Sequence, residues 1–269
     1  GWSGKLWALE QGLTKVKTHY TLLLDADIEL VPGIVSELRQ KASNENLALV
    51  SLMAKPPMDN FIECLLMPAF IFFFKLLYPF GLANKPGSGI AAAAGGCILV
   101  ETQVLRSTGA FANLHDALID DCALAAHIKC TGARTFIGLS HAARSHRGYH
   151  ELRPIWEMVA RTAFTQLRYS PILLVICTLI MTSMFWMAPF AFMFSSVWEV
   201  YLVSILAWAA MFFTYAPTLI YYQRSPLWVG ALPIIGILYL AMTWTSALRY
   251  WQGERASWKN RRYESKTNT

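Results

Sequence analysis

Asp25 and Asp27 close a short apolar run, Tyr20-Thr21-Leu22-Leu23-Leu24. The run is too brief for a helix and reads as a buried parallel strand that delivers both carboxylates at its C-terminal end. Residues two apart in an extended chain point the same way, so Asp25 and Asp27 would face one ligand while Ala26 faces the sheet. Two carboxylates on one side are hard oxygen donors for Mg²⁺ or Mn²⁺, completed by waters and substrate phosphates. The same triplet also occurs on solvated turns, and it is the strand before it, the helix after it and a second acidic cluster that favour the metal. That cluster is Asp116, Asp120 and Asp121, at the start of a helix with Leu124 and Ile128 among its apolar positions. Its carboxylates either complement the helix dipole or, beside a metal-bound pyrophosphate, take a proton from an acceptor hydroxyl.

Other elements must hold these groups. Leu6, Leu9 and Leu13 have helical spacing, which predicts a helix over residues 4–13 with Lys5 at its start, placed either to reach a phosphate or to lie in solvent. Pro32 suits the first turn of a helix through Val35 and Leu38 to about Ala42, and Leu47–Met53 reads as a further strand closed by Lys55-Pro56-Pro57. Strand, helix, strand is a βαβ unit and predicts a mainly parallel sheet. Residues 61–82 are rich in Phe and Leu but broken by Glu63, Pro68, Lys75 and Pro79; a spanning helix needs a cleaner apolar run, which favours an in-plane interfacial helix, with a core helix as the alternative. The stretch 86–97 has almost no side-chain bulk, so its backbone can approach a ligand or a neighbouring helix closely; it leads into a strand at Cys97–Val100. Arg134–Gly138 reads as another strand, followed by a loop from His141 to Arg153. The three histidines of that loop, at 141, 146 and 150, do not have the spacing of a zinc site; phosphate or headgroup contact suits the loop better.

From Pro171 onward the chain is almost continuously apolar, with three segments long enough to span a bilayer at about 171–194, 200–222 and 227–248. The whole chain of 269 residues is 55% hydrophobic and 15% charged, a composition that excludes an ordinary soluble enzyme. A net charge of +6 concentrates near Arg144–Arg153 and in the tail after Arg249, beside apolar spans, which points to anionic lipid or phosphorylated substrates. The interleaved basic and aromatic surface of a nucleic-acid binder is missing. Five irregularly spaced cysteines favour a reducing compartment. The helix at 154–169 is two-faced, with Trp156, Ala160, Phe164 and Leu167 on one side and Glu157, Arg161, Thr165 and Arg168 on the other. It can lie along the membrane surface and offer its arginines to a diphosphate or to headgroups. The division expected is a catalytic domain over 1–150, an interface helix over 151–170, membrane helices over 171–248 and a basic tail over 249–269. Three spans put that tail, with Lys259 and Lys266, across the bilayer from the catalytic domain, which conflicts with the preference of basic residues for the cytoplasmic side.

The order of these elements resembles glycosyltransferase family 2, in its processive and lipid-directed members. Gly4-Lys5, Ala8-Leu9 and Gly12-Leu13 are similar to the segment preceding that family's metal site; Asp25-Ala26-Asp27 matches its Asp-x-Asp, and Ile119-Asp120-Asp121 its base motif. Thr165-Gln166-Leu167-Arg168-Tyr169 is similar to its Gln/Arg-x-x-Arg-Trp helix, departing at both ends. Residues 91–100, 158–170 and 251–255 resemble hopanoid-associated glycosyltransferases, a branch similar to ceramide glucosyltransferases. The resemblance implies a GT-A-like, Rossmann-like α/β domain with a parallel or mixed sheet, its first strands lying upstream of Gly1, followed by a bundle of transmembrane helices. It implies an integral membrane hexosyltransferase, catalytic domain cytoplasmic at a bacterial inner membrane, with no obligate protein partner. The donor would be a nucleotide-sugar and the acceptor a hopanoid or ceramide-like lipid hydroxyl. Asp25 and Asp27 would hold the divalent cation, Asp121 with Asp120 would form the catalytic pair, and Lys5, Arg161, Thr165, Arg168 and Tyr169 would serve the donor phosphates. Two other classes fit part of the pattern: a non-catalytic lipid-binding or scaffold protein of the membrane, and a polyisoprenyl-phosphate glycosyl- or phospho-transferase, the latter expected to be all-helical.

Overall fold

The computed structural model describes residues 2–115, 117–258 and 261–264, with side chains through 253; Asp116, Lys259 and Lys266 lie outside the described residues. The chain divides into two compact units, one of Gly1–Pro57 with Phe73–Gly148, the other of Met58–Phe72 with Tyr149–Thr269.

The first unit begins with α1 (Gly4–Leu13), whose first turn is capped by the Ser3 hydroxyl accepting from Leu6 N–H. Then come β1 (Tyr20–Leu24), β2 (Ile28–Leu30), α2 (Ile34–Glu45) and β3 (Leu47–Lys55). Pro32 falls just before α2 rather than inside it, because Gly33 takes a left-handed φ of 93° as its N-cap. The chain leaves through α3 (Phe61–Leu77), whose last residues from Phe73 belong to this unit, and the single turn α4 (Phe80–Ala83). It then supplies β4 (Cys97–Glu101), the short α5 (Thr102–Ser107) and α6 (Ala110–Asn113), α7 (Asp120–Cys130) and β5 (Arg134–Ser145).

The five strands form one mixed sheet in the order β1-β4-β3-β5-β2. Only β3 and β5 pair in parallel; β4 runs antiparallel to both β1 and β3, and β2 antiparallel to β5. The mainly parallel sheet expected from the βαβ pattern is therefore corrected. Cys97, at the start of β4, pairs with Leu24 and Leu52, near the ends of β1 and β3, so the long excursion between β3 and β4 re-enters the sheet from the end at which it left. The apolar runs reflect burial on two faces, independent of strand direction. Ile98 and Val100 pack under α1 and α7 with Leu6, Leu124 and Ile128, whereas Cys97 and Leu99 pack against Ile34, Leu38 and Ala42 of α2. β5 is also longer than expected, reaching Ser145, so Arg144 is a strand residue opposite Glu29 and the loop begins at His146.

In the second unit the start of α3 is packed rather than interfacial, which corrects the in-plane expectation. Leu65, Leu66, Met67, Ala69, Ile71 and Phe72 are all buried. Phe72 meets Tyr215 with ring centroids 5.0 Å apart, and the Leu66 carbonyl accepts from the Tyr239 hydroxyl at 2.8 Å. Glu63, 1% exposed, accepts from the backbone N–H groups of Asp59 and Tyr149, so the charge that argued for an interface is instead satisfied by main chain. The unit continues with α8 (Leu152–Gln166), α9 (Pro171–Thr182), a π-helical turn at Ser183–Met187, α10 (Ala188–Phe194), α11 (Trp198–Tyr221), a 3₁₀ turn at Pro226–Ala231 and α12 (Leu232–Trp251). A hairpin of β6 (Glu254–Trp258) and β7 (Arg261–Glu264) follows. Three stretches are long and apolar enough to cross a membrane: Pro171–Phe194, Trp198–Tyr221 and Pro226–Trp251. Their outward residues include Ile172, Leu179, Phe213 and Ile234, each more than half exposed, as suits a surface made for acyl chains.

Candidate active site

The turn after β1 brings the first acidic group to the C-terminal ends of β1 and β3. Residues 25–27 form a turn closed by Ile28 N–H donating to the Asp25 carbonyl at 3.1 Å, not the extended strand that alternation assumed. The two carboxylates consequently have different partners. Asp25 lies 3.5 Å from the Lys5 ammonium. Asp27 accepts from the Ser145 hydroxyl at 2.7 Å, and its carbonyl accepts from His146 N–H.

α7 presents the second acidic group from its first turn. Its N-cap is Ile119, without a side-chain cap, and Asp120 and Asp121 stand in its first turn, where Asp121 Oδ1 accepts from the free Cys122 N–H. Asp120 lies 3.0 Å from Lys5 Nζ, which makes Lys5 the bridge between the two acidic motifs. Lys5, Asp25, Asp120, Asp121, Gly95 and the ring of Phe111 line one cavity. Burial opposes the Lys5 charge, but Asp120, Asp25 and Asp121 together carry its ammonium above the ordinary lysine value.

Asp121 is held by backbone. Its Oδ2 accepts from Gly95 N–H and its Oδ1 from Cys122 N–H, both at 2.8 Å. Burial and the neighbouring Asp120 push its carboxyl up to about 6, against the pull of those two donors and Lys5. A carboxyl that ionises near neutrality and stays ordered by backbone donors has the protonation range of a general base. The adjacent Cys122 thiol is pushed by burial to about 12 and is not a nucleophile at neutral pH.

The small-residue stretch is a rigid wall of this cavity. Lys129 donates to the carbonyls of Ala83 and Ile90, Ser51 bonds Ala94, and Cys122 Sγ donates to the Ala93 carbonyl at 3.4 Å. Gly95 has little room for a side chain: a Cβ there would sit a tight 3.2 Å from Asp121 Oδ2, which would have to give by a few tenths of an ångström, and in ordinary contact 3.6 Å from Lys5 Nζ. We expect Gly95→Ala to lower turnover roughly 10-fold by displacing that carboxylate, with secondary structure unchanged. Steady-state kinetics beside circular dichroism checks it; wild-type turnover would mean that the carboxylate tolerates the shift. Composition hinted at this role through Gly95-Gly96, but nothing in the residues linked that pair to Asp121.

The oxygen donors suit a hard divalent cation, which characteristically binds through one or two carboxylates and completes its shell with water and phosphate. Asp25 faces the cavity and Asp27 stands two residues further along the same turn. No group of three or more His, Cys, Asp or Glu arranged to hold a metal occurs among the described residues.

Arg161, Thr165, Arg168 and Tyr169 belong to the second unit. There α8 packs along α12, with Trp156 Nε1 donating to Thr245 and Phe164 N–H to Ser246. Arg249 on α12 grips Glu157 with both guanidinium nitrogens and holds that carboxyl below the usual range. The helix ends on two consecutive left-handed residues, Arg168 at φ 52° and Tyr169 at φ 56°, and Tyr169 N–H reaches back to the Phe164 carbonyl. Tyr169 stacks on Tyr250 with centroids 4.4 Å apart, and its hydroxyl accepts from Thr165.

The first unit gathers a lysine and three carboxylates at one end of its mixed sheet, and the same chain carries three apolar helices long enough to span a membrane. The chain belongs to glycosyl transferase family 21, whose model matches residues 1–269. It is therefore a glycosyltransferase, and its family and apolar helices fit action on lipid at a membrane. No curated protein matches the chain.

Proposed function

We propose that this protein transfers a hexose from a nucleotide-sugar to the hydroxyl of a hopanoid or ceramide-like lipid, in one displacement that inverts the anomeric centre. The observation that carries the reading is Asp121, ionising at about 6 and aimed by Gly95 and Cys122 into a cavity shared with Lys5, Asp25 and Asp120. Asp121 takes the proton of the acceptor hydroxyl as its oxygen bonds to the anomeric carbon. The bond from that carbon to the donor phosphate breaks, and its electron pair leaves with the nucleoside diphosphate. Asp120 keeps Lys5 in place, and the Lys5 ammonium meets the developing phosphate charge. Asp25 and Asp27 would hold Mg²⁺ or Mn²⁺, Asp27 giving up its bond from the Ser145 hydroxyl to do so; when bound, the ion supplies charge neutralisation of the diphosphate. Arg161, Thr165, Arg168 and Tyr169 are the further donor-phosphate candidates, on the strength of their motif order; the paired left-handed residues at 168 and 169 add support, since such strain concentrates at functional segments. Catalysis on the cytoplasmic side of a bacterial inner membrane and a GT-A-like domain are parts of the same reading.

The test is a panel of nucleotide-sugars offered to the protein in membranes, with hopanoid or ceramide acceptors and with or without divalent metal. Transfer that needs metal, donor and lipid together supports the reading, whereas hydrolysis or silence with every pair removes it. kcat/KM should rise with pH along a limb of slope one and apparent pKa about 6, because the ionised form of Asp121 is the base. A profile flat down to pH 5 would assign the base elsewhere.

A further inference from the structure

Ser51 is the one hydroxyl in a wholly apolar stretch of β3, between Val50 and Leu52, and it is 0% exposed. A buried hydroxyl is costly unless bonded, and this one spends both of its bonding modes on a single residue outside the sheet ladder. Its oxygen accepts from Ala94 N–H at 2.8 Å and its hydrogen is donated to the Ala94 carbonyl at 3.2 Å. Ala94 belongs to the irregular segment ahead of β4, whose main chain has no strand to satisfy it. The clamp fixes the peptide that joins Ala94 to Gly95, and the N–H of that peptide is the donor to Asp121 Oδ2. Cys122 Sγ donates to the Ala93 carbonyl in the preceding peptide, and the Ala94 carbonyl also accepts from Cys97 N–H at 3.4 Å.

We propose that Ser51 is a positioning residue for the base, acting through the Ala94–Gly95 peptide to aim Gly95 N–H at the Asp121 carboxylate. The inference rests on the reading of Asp121 as general base. Ser51 touches neither substrate nor reacting atoms; it decides where the base stands. The charged groups sharing the cavity with Asp121 are Lys5, Asp25 and Asp120, with the Cys122 thiol beside it, and a change at Ser51 alters none of them.

The experiment compares Ser51→Ala, Ser51→Thr, Ser51→Cys and Asp121→Asn in the full chain in membranes, reading kcat, donor KM and the pH profile of kcat. Ser51→Ala is expected to lower kcat about 10-fold, as small misplacements of catalytic groups do. Donor KM should stay within about twofold, because no binding group moves. The acidic limb should shift upward, since the carboxylate loses a donor that favours its ionised form. Ser51→Thr, which keeps the hydroxyl, should recover most of the loss. If Ser51→Ala does not accumulate, Ser51→Cys reads the same effect with shape retained. An unmoved limb with wild-type kcat in the folded Ala or Cys variant overturns the proposal while Asp121→Asn remains inactive. Full turnover by Asp121→Asn overturns the general-base reading and this inference with it.

Discussion

Asp121→Asn should cut release of nucleoside diphosphate from the nucleotide-sugar by roughly 10³-fold, in the middle of the range that general-base catalysis supplies. The amide cannot accept the hydroxyl proton. It also can accept from only one of the two backbone donors, Gly95 N–H and Cys122 N–H, that the carboxylate now satisfies. Stability should move differently. The folded carboxyl ionises at about 6 against an ordinary 3.8, so the native state holds this proton more tightly than the unfolded chain does. Its favourable contribution is fully present below pH 3.8 and is lost as pH rises through about 6. At pH 7.5 the neutral amide relieves that desolvation, which offsets the lost hydrogen bond. The melting temperature of Asp121→Asn should therefore stay at or above the wild-type value while transfer collapses. A variant that loses turnover and melting temperature together would locate the role of Asp121 in folding instead.

Glu63→Ala should destabilise the second unit by about 3 kcal/mol, because it removes the acceptor of two main-chain donors at once, one of them buried. Those donors are Asp59 N–H and Tyr149 N–H, and the second ties the entry of α3 to the segment leading into α8. Asn60 reinforces the same joint, its side chain accepting from Glu63 N–H and donating to the Tyr149 carbonyl. Glu63→Gln keeps one acceptor and should lose about half as much. Thermal unfolding in detergent, followed by tryptophan fluorescence, measures both variants. Equal melting temperatures for Ala, Gln and wild type would mean that the joint does not depend on this carboxylate.

The elements that carry chemistry were largely legible because each has a local signature. The helix at 4–13, the strand at 20–24 and the carboxylates leading α7 sit where periodicity and composition place them. Sheet order was not legible. Continuous apolar residues at 47–53 and 97–100 report burial on both faces, which parallel and antiparallel central strands share. Direction depended on where a long excursion re-enters, and that is a tertiary fact. Glu63 misled for a related reason: a charge in an aromatic helix argues for water until the backbone donors that satisfy it are seen, one of them Tyr149 N–H, 86 residues away. The turn at 25–27 broke the alternation on which a shared ligand face was argued, so Asp27 turned to Ser145. Lys5 as a bridge and Gly95 as a donor depend on contacts among α1, α7 and the segment before β4, which no local pattern encodes.

The placement of β4 between β1 and β3 bears on how the enzyme is made. β1, which leads into the Asp25 turn, pairs with β4, so the ladder between them cannot form during synthesis until Cys97–Glu101 has emerged. At about 5–20 residues per second that wait lasts several seconds, and such non-local pairing is slow to form once possible. A chain cut before Cys97 keeps both aspartates of the turn but loses the β4 ladder beside β1.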